Sequence, residues 1–166
     1  MKTQKTINTN NESLIKSLAG LLNDGNAHVS LNEALENINL DLAGKKPNNL
    51  PYSIWQLAEH IRIAQWDILE FSRNENHESP EWPGGYWPEK SAPVSKNEWD
   101  KCVTQIKSDR KSFIDLLTNA GESIHQPFDY GNGQSLLQEA LVLADHTSYH
   151  TGEIIILRRL LNHWEK

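Results

Sequence analysis

His146 and His150 stand four residues apart in "LADHTSYHTGEIIILRRLL", residues 143–161. On a helix, residues i and i+4 project side by side, about 6 Å apart. Leu143, Ile154 and Leu157 extend the same stripe, so both imidazoles fall on a face that should turn toward a core. His60 is placed in the same way, with Leu57, Ala64, Ile68 and Phe71 on its stripe. Three histidines on core-facing stripes carry ring nitrogens into a dry interior, where each unpartnered nitrogen costs about 1–3 kcal/mol. Two arrangements relieve that cost. Each ring can bond a nearby carbonyl or hydroxyl. Alternatively, three neutral imidazoles can each give a nitrogen to one divalent cation and leave further coordination positions open. An open position is what a catalytic metal needs, because water bound there becomes acidic near neutral pH.

Other motifs narrow the chemistry. Thr147 follows His146, so the pair is not the H-E-x-x-H of zinc proteases. A carboxylate-bridged di-iron bundle needs paired Glu-x-x-His motifs, and the one such motif here ends at His125, just after Gly121. Glu153 lies three residues past His150 and shares its face. It could accept a hydrogen bond from a ligand imidazole, act as a base, or be an ordinary surface charge. Gln56, one turn before His60, could meet a metal-bound water. Asp67, two turns beyond His60, is expected to pair with an Arg or Lys. His77 and His125 lie in polar, breaker-rich stretches and are expected to be solvated. His163, near the last helix end, would favour the helix dipole. Gly152 interrupts the last helix at a cost of roughly 0.5–1 kcal/mol against alanine, which close packing or room for a metal and its ligand would offset.

The elements that must hold these residues follow from punctuation. Prolines at 47, 51, 80, 83, 88, 93 and 127 leave long proline-free windows. Ser30, Ser53, Ser95 and Ser135 are each followed three residues later by Glu or Gln, the capping-box pattern of a helix start. The pattern predicts helices over about 11–23, 30–39, 53–74, 96–119 and 135–162. The segment 76–93, "NHESPEWPGGYWPEKSAP", carries too many breakers for regular structure and is expected to be a long ordered loop. Its Trp82, Tyr86 and Trp87 could wall a site as a lid or pack over the outside of the helices. No strand pair, repeat or low-complexity segment is evident. The expected fold is all-α, a four-helix bundle, over a single domain of 166 residues with a polar tail at about 1–10.

Composition excludes several classes. A net charge of −6 without a basic cluster argues against nucleic acid and acidic membrane surfaces as partners. One cysteine, Cys102, rules out an internal disulfide, a Cys-rich zinc site and a CxxC pair, and nothing places it at a metal. No apolar run approaches the roughly 18 residues of a membrane span, and "MKTQKTINTNNES" lacks a signal peptide's apolar core. A cytoplasmic protein is the expectation.

"SIWQLAEHIRIAQWDILEFSRN" (53–74) followed by "LADHTSYHTGEIIILRRLL" (143–161) resembles the DinB/YfiT-like superfamily. The elements that carry the resemblance are one histidine in the second long helix and H-x-x-x-H-x-G in the last, over about Leu14–Leu161. The resemblance implies a four-helix bundle with a divalent metal near one end, and its three ligands fall on His60, His146 and His150. Zinc and nickel are the expected metals. It also implies a homodimer and a small-molecule substrate, with thiol-dependent transfer and hydrolysis as the reaction types. Three readings therefore stand: a metal-dependent transferase or hydrolase, a non-catalytic metal-binding or stress-response bundle, and a dimeric bundle with internally bonded histidines.

Overall fold

The computed structural model of the protein describes residues 9–164. Its α-helices are α1 (Thr9–Asp24), α2 (Leu31–Leu35), α3 (Leu40–Ala43), α4 (Ile54–Arg73), α5 (Lys96–Ala120) and α6 (Leu136–Leu160). Short 3-10 turns lie between them, and the extended pairing among the described residues is one isolated bridge, Pro127 with Ser135. The all-α expectation holds for these residues. No helix among them is long and apolar enough to cross a membrane. The expected polar tail falls outside the described residues up to position 8, and α1 already begins at Thr9.

The serine start signals work as their chemistry predicts. Ser30, Ser53, Ser95 and Ser135 each accept the backbone N–H three residues on, a cap contributing about 1 kcal/mol. Ser30–Glu33 and Ser53–Gln56 are reciprocal capping boxes. Glu98 departs from that pattern, since its carboxylate takes the N–H of Val94. At the far end of α1, Gly25 adopts φ +69° and closes the helix onto the Leu21 carbonyl.

The helix expected over 30–39 is two short ones. After α2 the chain turns extended at Glu36 and left-handed at Asn37 (φ +52°), and Asn39 caps the start of α3. The cause lies far away in sequence. The buried Arg158 guanidinium donates through Nη1 to the carbonyls of Ala34 (2.8 Å), Glu36 (3.0 Å) and Glu33 (3.4 Å). It satisfies acceptors that a continuing helix would have used. His163 helps hold the same corner rather than capping α6. Its Nε2 lies 2.8 Å from the Asn37 carbonyl and 3.1 Å from the Asn39 nitrogen.

α4 packs on both α5 and α6, and α1 packs on α5 and α6. Each contributes a stripe at helical spacing: Ile15, Leu18 and Leu22 from α1; Ile54, Leu57 and Ile61 from α4; Ile106, Phe113 and Leu117 from α5; Leu136, Ala140 and Leu143 from α6. The buried side chains form two apolar clusters. One gathers Ile54, Leu57 and Ile61 with Ile154 and Leu157; the other gathers Leu69 with Phe113, Leu136 and Leu143. On α6, His146 and His150 fall in the interval between those clusters, and on α4 His60 lies beside it. Burial of each large aliphatic side chain in the flanking layers contributes about 1.5–3 kcal/mol. The fold can therefore tolerate a polar layer that contributes less.

Gly152 does not lie in that layer. It is exposed, and a Cβ there would meet nothing within 4 Å, so neither close packing nor a metal explains it.

Candidate metal centre

His60 on α4 is 3% exposed and His150 on α6 is 7% exposed, while His146 is half-buried between them. One ring nitrogen from each falls within 4.8 Å of the others, so the three can hold one metal ion. Nε2 of His60 and Nε2 of His146 face one another at 3.0 Å. The ring centroids are 4.5–4.8 Å apart.

The hydrogen bonds around the rings decide which nitrogens carry lone pairs. Nδ1 of His60 lies 2.9 Å from the carbonyl of Tyr86. A carbonyl only accepts, so that nitrogen bears the proton and Nε2 is bare. Nδ1 of His150 lies 2.6 Å from Oε2 of Glu153, and an ionised Glu153 fixes its proton in the same way. Buried Nδ1 of His146 has no partner. The layer thus holds more nitrogen lone pairs than donors to meet them, and a cation is the natural complement. Second partners of this kind also set ligand orientation in metal sites generally.

Burial holds the imidazoles neutral. Desolvation lowers all three, and the pKa values of His146 and His150 fall to about 4, His146 pressed further by His150 and His60 and His150 by His60. Neutral imidazole is the form that ligates. Glu153 is pushed up by burial, opposed by a hydrogen bond from Tyr149.

The 76–93 loop completes the site, and it does so as a strap laid back along α4. The ties descend that helix in order: His77 Nε2 to Asp67 Oδ1 (2.7 Å), Tyr86 hydroxyl to Asp67 Oδ2 (2.6 Å), the His60–Tyr86 bond, Gln56 to the Pro88 carbonyl (3.4 Å), and Ser53 to the Ser91 carbonyl (2.5 Å). Trp87 is clamped between Tyr52 and His60, with stacked ring centroids at 4.0 and 3.8 Å. Gly85 is required here, because a Cβ would come within 2.7 Å of Pro80. Tyr86 is raised to about 12 by burial and by Asp67, so the phenol stays protonated and donates.

A cavity of about 450 Å³ opens beside the histidines. All three rings line it, together with Ala64, Asp67 and Ile68 of α4, Tyr52, and Trp82, Pro83, Tyr86 and Trp87 of the loop. The loop's aromatics therefore wall the site instead of covering the outside of the helices.

The sequence expectations fare unevenly around this centre. His60, His146 and His150 come together. Glu153 reaches His150 but lines a separate, smaller cleft of about 140 Å³ with Leu57 and Ile156. Gln56 is engaged at both ends of its amide, by the Ser53 N–H and the Pro88 carbonyl, and so secures the helix start and the strap. Asp67 pairs with His77 and Tyr86, not with an Arg or Lys. His77, expected in solvent, has a side chain only 8% exposed and sits edge-on to Trp66. His125 is exposed as expected. Cys102 is buried in the apolar cluster, its thiol pushed up by burial and by Glu59. Trp82, Tyr86 and Trp87 take the walling role that the sequence allowed them, but Tyr52 and the Tyr86 main-chain bond to His60 were not foreseen, since a carbonyl and a stacking plane leave no residue pattern.

The family model of the DinB superfamily matches residues 26–154, most of the chain and all three histidines. No curated protein matches, and no solved structure matches.

Proposed function

The chain belongs to the DinB superfamily, and on that premise we propose that it is a divalent-metal-dependent enzyme acting on a small molecule. In this reading the long helices form a four-helix bundle of the DinB type, and His60, His146 and His150 are the metal ligands. The observation that carries the proposal is the convergence of three neutral imidazoles on the wall of an open, aromatic-lined cavity. A structural zinc site closes its shell with four protein ligands, whereas the cluster among the described residues comprises three. An all-imidazole donor set suits zinc or nickel.

When bound, such an ion supplies Lewis acidity and lowers the pKa of a coordinated water. Hydrolysis and thiol-dependent transfer are the two reaction types this serves, because both need an activated nucleophile beside an electrophilic centre. The protein's own groups do the positioning. The Tyr86 carbonyl holds the proton of His60 on Nδ1 and aims Nε2 at the site. Glu153 does the same for His150 through Oε2, so we assign it an orienting role. Trp87 and Tyr52 fix the plane of His60 and exclude water from its back. Gln56 ties the strap to α4 and so supports the same ring indirectly. The reading includes a homodimer, supported by the exposed row Val142, Tyr149, Ile156 and Leu160 on α6.

The test is elemental analysis of protein purified without nickel resin, followed by a metal-loaded screen of thiol transfer and of ester and amide hydrolysis. One ion per chain and activity that vanishes in His60→Ala support the proposal. Metal-free protein that takes up no zinc or nickel would refute it.

A further inference from the structure

We propose that the cavity selects a small molecule bearing a protonated amine, recognised by Asp67 together with the Trp82–Tyr86 ring pair. This rests on the cavity being the substrate site. Asp67 is the one acid among the cavity's lining side chains, and no Lys or Arg accompanies it. Its two close contacts are donors, His77 Nε2 and the Tyr86 hydroxyl, and they orient the carboxylate. Glu139, also buried, lies near enough for the charge on Asp67 to help raise its carboxyl. Two acids thus share this part of the interior, and His77 is bonded to one of them, Asp67. Asp67 would repel an anionic group, whereas a protonated amine adds a charged contact to a carboxylate that already accepts from His77 and Tyr86.

The rings complete the recognition. Trp82 and Tyr86 meet at 61° with centroids 5.4 Å apart, forming an aromatic corner. Trp82 is 71% exposed, a large indole face left in water at the cavity mouth. A cation within about 6 Å of such a face is attracted by the ring quadrupole, and a nearby carboxylate adds to that attraction. His60 and Asp67 are seven residues apart on α4, about 10 Å along its axis. The fitting molecule therefore carries its amine at one end, an apolar middle, and its reacting group near the histidines.

The experiment titrates the full, zinc-loaded chain at pH 7 with 2-phenylethylamine and with 2-phenylethanol, its neutral counterpart, following tryptophan emission. The amine is expected to bind about tenfold tighter, a difference of about 1.4 kcal/mol. Asp67→Asn should bring the two probes within about threefold of each other, the size of a lost electrostatic preference. Equal affinities in the parent, no binding of either probe, or a preference that survives in Asp67→Asn would each overturn the proposal. Asp67 also anchors the strap, so Trp82→Ala is the second variant, its ring being exposed. Amine affinity unchanged in Trp82→Ala overturns the proposal as well. Metal content is measured on the same samples. Absence of amine preference in the parent chain with metal retained defeats this inference alone, whereas absence of metal defeats the functional reading beneath it.

Discussion

The carbonyl of Tyr86 accepts the Nδ1 proton of His60 at 2.9 Å, so a loop residue fixes a helix histidine through its main chain. The side chain of Tyr86 has a separate task, its hydroxyl bond to Asp67. The two can be separated by substitution. Tyr86→Phe keeps the carbonyl and should retain one metal per chain, while losing about 1–3 kcal/mol of stability from the unmade bond to the carboxylate. Metal analysis and urea unfolding read the two effects independently. Loss of metal with no loss of stability would reverse the assignment.

Glu153 acts on the centre differently, through its side chain alone. Glu153→Ala frees the His150 ring to rotate and should weaken metal affinity about 10–100-fold, the usual consequence of deleting an outer partner. Competition against a chelator of known affinity measures it. Since Glu153 lines the neighbouring cleft and not the histidine cavity, the variant should affect metal affinity more than the proposed activity of the fully metal-loaded chain.

Gly152 offers a test of the α6 surface. It is exposed within the helix, and a methyl group there meets nothing within 4 Å. Gly152→Ala should stabilise the isolated chain by about 0.5–1 kcal/mol. Thermal unfolding at low protein concentration checks this. A loss of stability would instead mean that a second helix lies against that position.

What the sequence made legible is what short-range chemistry encodes. The serine caps and proline-free windows located α4, α5 and α6 to within a residue or two, because a helix start is written within four residues. The three histidines could be found because their stripes were otherwise apolar. The remainder depends on contacts between distant positions. Arg158 breaks the 30–39 helix from more than a hundred residues away. His77 leaves solvent because Asp67 and Trp66 receive it. Gln56 was read as able to meet a metal-bound water, and the structure adds a capping bond to the Ser53 N–H and a tie to the Pro88 carbonyl across 32 residues.

Acid should destabilise the metal-free protein. The folded pKa values of His146 and His150 are about 4, below the ordinary 6.5, and His60 is lowered too. Between those values the unfolded chain binds more protons, so stability rises with pH in that window and is lost as pH falls from about 6.5 toward 4. Asp109, Glu139 and Glu153, all raised by burial, act in the opposite sense through their own range. Unfolding midpoints of chelated protein at pH 7 and pH 5 give the slope. The His146→Leu, His150→Leu double variant should show a smaller one. An unchanged slope would place the sensitive groups elsewhere.

Removing the metal should leave the fold standing. On α6 the two apolar clusters lie on either side of the histidine pair, and both are built from aliphatic and aromatic contacts of their own, one around Leu57 and Ile154, the other around Phe113 and Leu143. The histidines are also held by protein partners of their own, Tyr86 and Glu153, which persist when the ion leaves. What chelation restores is unmatched lone pairs on the ring nitrogens that would face the ion, at about 1–3 kcal/mol for each buried one. A binding ion stabilises the native state by mass action, so its removal lowers the melting temperature by an amount set by its affinity. The expected result is a far-UV circular dichroism spectrum unchanged by chelator, a modest fall in melting temperature, and activity that disappears and returns with added metal. A helical spectrum that collapsed on chelation would make the ion a structural staple, and the open histidine site would lose its role as a centre for chemistry.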